Sequence, residues 1–444
     1  MRIPKTPPET LKLWKAISQE RLFQVVGTPS SAAVRGSYLH WDQLRRRTPP
    51  DGLTPEEWWL KLKLARSQGR RQLPLHDTKG QAFSYVLTDE ALAMLHRADR
   101  FASGRIEVPE AITNEVTRDR YVVSSLMEEA IASSLLEGAA TTRQEAKQLL
   151  RSGRPPRTRA ELMVVNNYRT MQFIRRDLDQ PLSVDLILEI HRMVTEGTLD
   201  DAEDAGRIQS SGERRVDVGD PVDPAVVFHR PPPAEELPAL LDDLVRFANG
   251  AEEEPFVHPL VRAIAVHFFL AYVHPFVDGN GRTARALFYR SMLAQGYWLA
   301  EFLSISRLLY QAPAQYGTAF LHTETDEADF TYFLLHQLEV LCEAIDELLA
   351  YLETKVTEVR RVERALRKFP GLNHRQIALL SHAVRRPDAV YTFDTHRRSH
   401  DVVYQTARAD LLDLEALGLL ERRQVGRQYR FYPVPGLAEQ LAGL

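Results

Sequence analysis

His274-Pro275-Phe276-Val277-Asp278-Gly279-Asn280-Gly281-Arg282-Thr283-Ala284-Arg285 is the stretch from which the rest of this 444-residue chain can be read. It gathers an imidazole, a carboxylate, an amide between two glycines and two arginines. Gly279 and Gly281 are expected to take positive φ and to bring backbone N–H groups close to an anion. Beyond them Ala284, Leu287, Phe288 and Met292 recur at helical spacing as far as Gly296, so the loop feeds a helix N-terminus. Free amides and the helix dipole favour a phosphate there. Arg282 and Arg285 are three apart, share a helical face and can address one polyphosphate. The alternative, a polar loop before a solvated helix, would survive a lone Gly-x-Gly but not the whole set.

The stretch resembles the complete signature of Fic-domain proteins, His-Pro-Phe-x-Asp/Glu-Gly-Asn-Gly-Arg-x-x-Arg, with no departure from it. That resemblance implies a mainly α fold, a Fic-type helical bundle with a small β-hairpin flap. It also implies transfer of AMP from ATP to a Ser, Thr or Tyr hydroxyl of a target protein or of the chain itself. His274 is the expected general base, since imidazole titrates near neutrality. Asp278 is expected to hold Mg²⁺ between the α and β phosphates. The amides of Gly279 and Gly281 and the Asn280 side chain are expected to cradle the phosphates, with Arg282 on α/β and Arg285 on γ.

Upstream, Val122, Leu126, Ile131 and Leu135 form an approximate helical stripe over residues 121–138 that Gly138 ends. Ser133 and Glu137 share a face, and Glu137 lies where the helix dipole disfavours an anion, so a cationic partner would offset that cost. Taken alone, this reads as an exposed glutamate beside a C-cap glycine. Beside the Fic signature, Ser133-x-x-x-Glu137-Gly138 resembles the family's inhibitory motif, whose glutamate pairs with the second signature arginine, here Arg285. The resemblance implies self-inhibition, because that arginine cannot then grip the γ-phosphate.

Length sets the frame, since 444 residues exceed one ordinary core. With 44% hydrophobic and 26% charged residues the chain is of globular type, and a net charge of −4 predicts no bulk attraction to nucleic acid or membrane. A single cysteine, Cys342, excludes an intramolecular disulfide and a multi-cysteine zinc site, and reads as a buried helical residue. The first residues hold no apolar signal core, and no run approaches the roughly 18 apolar residues of a spanning helix. A cytoplasmic protein is expected.

Four segments follow: residues 1–115, an α-rich N-terminal region; 116–345, the Fic domain; 346–369, a helical connector; and 370–444, a C-terminal domain. Pro49-Pro50-Asp51-Gly52 reads as a turn, and Thr54-Pro55 starts a helix whose Lys61, Lys63, Arg66, Arg70 and Arg71 read as a solvated basic face. Residues 81–87 read as a strand, and Thr142 to Glu145 as a capping box. Residues 163–176 and 183–197 read as core helices, with His191 and His267 as structural histidines. Val216, Val218, Val226, Val227 and Phe228, among glycines and Asp220-Pro221 and Asp223-Pro224, read as an irregular hairpin in the position of the family's flap. Residues 260–273 are apolar nearly all round, as befits the centre of a bundle.

From residue 370, three helices and two short strands resemble a winged helix-turn-helix, with Tyr404 to Arg408 opening the recognition helix. Its ten arginines face eight acids and no lysines, a weak footprint for DNA even though Arg422, Arg423, Arg427 and Arg430 cluster on the wing. DNA binding and a dimerisation or docking role both stay open, as does a homo-oligomer. So do two alternatives to transfer: removal of AMP by the same site, and a transcriptional regulator that senses nucleotide.

Overall fold

The computed structural model describes the chain apart from residues 1, 28–30, 51, 104–114, 177, 221–222, 224, 251–254, 369–370, 426–427 and 443–444. Asp51 of the expected turn, Pro221 and Pro224 of the hairpin, Arg427 of the wing, and Pro370 and Leu444 lie outside the described residues, as do the side chains of Tyr121 and Val122. The chain forms two compact units, residues 1–106 with 123–345, and residues 107–122 with 346–444.

The first unit is built on helix Pro259–Val273. Pro259 pre-sets the first turn, and the His258 ring accepts the Leu260 amide as a cap. Leu260, Val261, Ile264, Phe268, Phe269 and Leu270 are all buried, so the helix is enclosed on every side. Phe268 meets Phe320, Phe330 and Phe333 at centroid separations of 5.3, 5.3 and 5.1 Å. Each such ring contributes roughly 1.5–3 kcal/mol by burial. Helices Arg159–Arg176, Val184–Thr195, Leu237–Ala248, Asn280–Ala294 and Pro313–Thr325 and the start of Thr331–Lys368 belong to the same unit. The capping box at Thr142 forms as its sequence predicts.

The basic face expected after Thr54 is corrected by the structure. Helix Pro55–Gln68 stops before Arg70 and Arg71, which open strand Arg70–His76, paired antiparallel with Ala82–Val86. Lys63 and Arg66 are 3% and 0% exposed rather than solvated. Lys63 Nζ lies 2.8 Å from Asp326 Oδ1, while Arg66 donates to the carbonyls of Ala32 and Leu39 and to Tyr332 Oη and stacks on Tyr38. Cations survive burial only with such partners, and these partners lie too far away in sequence for helical periodicity to reveal them.

The expected hairpin is short: Val218–Gly219 pairs antiparallel with Val227–His229. Residues 331–368 form one unbroken helix. The second unit contains helices His374–Arg385, Phe393–His400 and Tyr404–Ala416, strands Leu420–Val425 and Gln428–Pro433, and a short final helix, Leu437–Ala442, that was not expected. Its core gathers Leu380, Phe393, Leu411, Leu414, Phe431 and Leu437.

Candidate active site

Helix Pro259–Val273 ends at His274, which takes a left-handed conformation (φ 49°, ψ 54°) uncommon for a residue with a Cβ. The turn aims the ring. His274 Nδ1 donates to Ala271 O at 3.2 Å, which leaves the lone pair on Nε2 to receive a proton. Burial lowers its pKa to about 4 against that hydrogen bond; His229 and Arg215 push the same way and Glu137 opposes them. A neutral imidazole is the form a general base requires.

The loop closes on Asn280, whose side chain accepts from Phe276 N at 2.9 Å and donates to Phe276 O at 2.8 Å. Both ends of this 2%-exposed amide are therefore engaged in holding the loop. Gly279 takes the expected positive φ, 85°, and opens helix Asn280–Ala294. Gly281 does not, because it is already helical. Its missing side chain matters for another reason: a Cβ there would sit 2.1 Å from Glu137 Oε1. Asp278 is 44% exposed at its side chain, with Oδ2 3.5 Å from Arg282 Nη2 and 3.8 Å from Arg159 Nη2.

Arg282 and Arg285 do share one face, and both are buried. Arg282 Nη1 donates to Val194 O at 2.7 Å, while among the described residues its Nε has no hydrogen-bond partner and its Nη2 has the 3.5 Å ion pair with Asp278 alone. Arg285 Nη1 lies 2.9 Å from Glu137 Oε1, and its Nε and Nη2 donate to Ser133 Oγ and Ser133 O at 2.9 and 3.1 Å. Burial works against the Arg285 charge, yet Glu137 and Tyr316 outweigh it and hold the pKa above its usual value. The structure thus brings together His274, Asp278, Gly279, Gly281, Arg282, Arg285, Ser133 and Glu137, with Gly138 (φ 83°) turning the chain just beyond. A base, a half-exposed carboxylate and two buried guanidiniums around a helix N-terminus can bind a polyphosphate and take a proton from a nucleophile.

Residues 181–292 match the Fic/DOC family. Those residues are similar to a Fic domain. Protein adenylyltransferase fic-1 of Caenorhabditis elegans is 40% identical over 118 residues, 26% of this chain and 20% of that one. Protein adenylyltransferase Fic of Drosophila grimshawi is 35% identical over 130 residues, 29% of this chain and 24% of that one. The chain thus spans a fifth to a quarter of the length of these curated relatives. A crystal structure of a Fic family protein from Desulfovibrio desulfuricans G20 aligns with 79% of this chain and 97% of its own at a TM-score of 0.52 and 19% identity, a likeness of fold.

Helix Glu115–Leu136 meets helix Asn280–Ala294 in a regular register. Glu129, 1% exposed, accepts from Tyr289 Oη at 2.7 Å, from Ser306 N at 2.9 Å and from Ser306 Oγ. Ser133 then meets Arg285, and Glu137 meets Arg285 over Gly281. Steps of four along one helix match steps of four backward along the other, as i,i+4 faces require.

Sequence reasoning gave no place at the site to three residues that the structure brings to the loop. His191, buried in helix Val184–Thr195, donates from Nε2 to Asp278 O at 2.8 Å and accepts Gly206 N on Nδ1 at 2.9 Å. Its ring stacks on Phe276 at 3.7 Å. It is structural, as expected, but it positions the Asp278 end of the loop. Arg159, at the start of its helix, reaches both Asp278 and Asp200. Arg215 holds the loop's other end. Their contacts run between segments far apart in the chain, and no local pattern announces them.

Proposed function

We propose that this protein is a protein adenylyltransferase that moves AMP from ATP to a side-chain hydroxyl of a target protein, or of itself, and that Glu137 holds it inactive. The observation that carries the reading is the pairing of a neutral His274, Nε2 lone pair free, with two buried arginines of which Arg285 is engaged by Glu137. The names of the relatives support the same activity. In the reaction the hydroxyl oxygen bonds to the α-phosphorus and its proton passes to His274 Nε2. The bond from the α-phosphorus to the bridging oxygen breaks, and pyrophosphate leaves.

Magnesium fits the residues present. Among the described residues no group of three His, Cys, Asp or Glu could hold a metal by itself, and Mg²⁺ commonly uses one or two carboxylates with phosphate oxygens and water. Asp278, half-exposed, is the residue that would hold it, and the ion would neutralise phosphate charge. Arg282 and Arg285 address the polyphosphate, and His191 and Asn280 keep the loop in place.

For the second unit, the order of three helices and a hairpin supports the winged-helix reading. Arg422 pairs with Glu415 and stacks on Tyr429, Arg423 pairs with Glu421, and Arg375 pairs with Asp410. Cations already matched by neighbouring acids attract a phosphate backbone weakly, which supports docking or dimerisation over DNA. A mobility shift of the full chain with random and promoter DNA across salt tests this; a salt-sensitive shift would reverse the choice.

The test of transfer compares the Glu137→Gly chain with the Glu137→Gly, His274→Ala chain in a cell lysate with ATP, using mass spectrometry. AMP added to protein by the first and not by the second is the expected result. No AMP adduct from either would refute transfer.

A further inference from the structure

Residues 206–215 wrap the backbone of the catalytic loop. Gln209, 3% exposed, donates its backbone N–H to Pro275 O at 2.9 Å. Arg215 Nη2 donates to Val273 O at 2.8 Å and to His274 O at 2.9 Å, its Nε donates to Pro232 O at 2.7 Å, and its Nη1 donates to Gln209 Oε1. None of these acceptors is a carboxylate, so among the described residues no acid pairs with this guanidinium and its positive charge stays beside the loop. A half-buried arginine without an acid is costly to desolvate, and burial lowers its own pKa.

The carbonyls it takes belong to the last helical residue and to the left-handed His274. In a regular continuation of the helix they would point toward backbone amides of the next turn; here the chain departs and Arg215 receives them instead. A left-handed non-glycine residue costs about 1–3 kcal/mol and persists only where its surroundings over-determine it.

We propose that Arg215 is a positioning residue for His274, holding residues 273–274 in the turn that aims the imidazole and keeping a fixed positive charge beside it. This rests on the reading of His274 as a general base. Four groups face the imidazole: Arg215 and His229 disfavour its protonation, while Glu137 and the Ala271 carbonyl favour it. His229 is itself held by Glu324 and Tyr272 O. Arg215 is the one of the four that joins a fixed charge to a grip on the base's own backbone.

The experiment uses the full chain carrying Glu137→Gly, with Arg215→Lys and Arg215→Met. Arg215→Lys keeps the charge and loses the fork; Arg215→Met loses both. The kcat for AMP transfer is expected to fall 10- to 100-fold in both variants, the scale of effect a misplaced group can have, while KM for ATP stays within twofold. In parallel, histidine-labelled protein is titrated by NMR, with the His274 signal identified by its loss in His274→Ala. The His274 pKa, lowered to about 4 chiefly by burial, is expected to stay there in Arg215→Lys and to rise measurably above it in Arg215→Met. An unchanged His274 titration in Arg215→Met, or equal pKa values in the two variants, would overturn the electrostatic part. An unchanged kcat in both, or a KM that rises as kcat falls, would overturn the positioning part. The titration needs no turnover, so failure of the parent chain to transfer AMP would refute the proposed activity while the role of Arg215 is still decided.

Discussion

Removing the Glu137 carboxylate tests the brake most directly, because it moves two quantities in opposite directions. Glu137 Oε1 is 2.9 Å from Arg285 Nη1, with the guanidinium side chain 3% exposed and the carboxylate side chain 29% exposed. A hydrogen bond to a charged group contributes roughly 1.5–3 kcal/mol net. A γ-phosphate that takes Arg285 must first displace that contact. In Glu137→Gly the displacement is no longer needed, and the affinity for Mg–ATP should rise by about 10- to 150-fold. The nucleotide-free protein loses the same contact and keeps Ser133 Oγ and O as acceptors for Arg285, so its melting temperature should fall. The assay is titration calorimetry with a non-hydrolysable ATP analogue and Mg²⁺, beside thermal unfolding with and without it. The expected signature is a lower melting temperature without nucleotide and a larger upward shift with it. If the dissociation constant changed by less than twofold, Glu137 and the γ-phosphate would not compete for Arg285, and the brake would be wrong.

Gly281→Ala should expel Glu137, since the new methyl would lie 2.1 Å from its carboxylate oxygen. Nucleotide affinity should nevertheless fail to rise in the same calorimetry, because the methyl takes the space just vacated. Burial raises the Glu129 pKa against hydrogen bonds from Ser306 and Tyr289. The folded chain therefore holds that proton to higher pH than the unfolded chain, and stability from this group falls as pH rises from 4.5 through the raised value. Glu129→Gln should flatten that decline in a series of melting curves. With the His274 pKa near 4, transfer by Glu137→Gly should hold level down to about pH 5 rather than drop near 6.5 in a pH–rate profile. Arg285→Ala should raise KM for ATP by about tenfold or more in steady-state kinetics, having removed a phosphate donor.

Much of the site was legible because its chemistry is local. The run from His274 to Arg285 holds the base, the carboxylate and both arginines within a few turns of chain, and the periods of residues 121–138 and 260–273 placed the helices that flank it. Ser133 and Glu137 share a helical face, but their common partner Arg285 was foreseen from the resemblance to the Fic inhibitory motif and not from spacing. Spacing said less about function at each position. Gly281 looks like a turn glycine beside Gly279, yet it is helical and gives room to Glu137. Asn280 looks like a phosphate donor, yet its amide spans Phe276. Lys63 and Arg66 look solvated, yet they are buried against Asp326 and Tyr332. In each case the deciding contact is made in three dimensions, where hydropathy along one helix carries no signal.

The register between Glu115–Leu136 and Asn280–Ala294 bears on how such a brake could be released. Glu129 with Tyr289, Ser133 with Arg285 and Glu137 over Gly281 are three rungs of one ladder. A slide by one residue would misalign all of them, and a full turn would bury Glu129 away from Ser306 N and Ser306 Oγ. A buried carboxylate parted from its donors costs several kcal/mol, so partial sliding is disfavoured at the inner rung. The outer rung differs, because Glu137 follows the last helical residue and Gly138 turns the chain beside it. Its side chain can rotate into water while Glu129 and Ser133 stay in place. Relief of the proposed inhibition is therefore cheapest as a local swing of Glu137, with the rest of the helix left to hold Arg285 through Ser133.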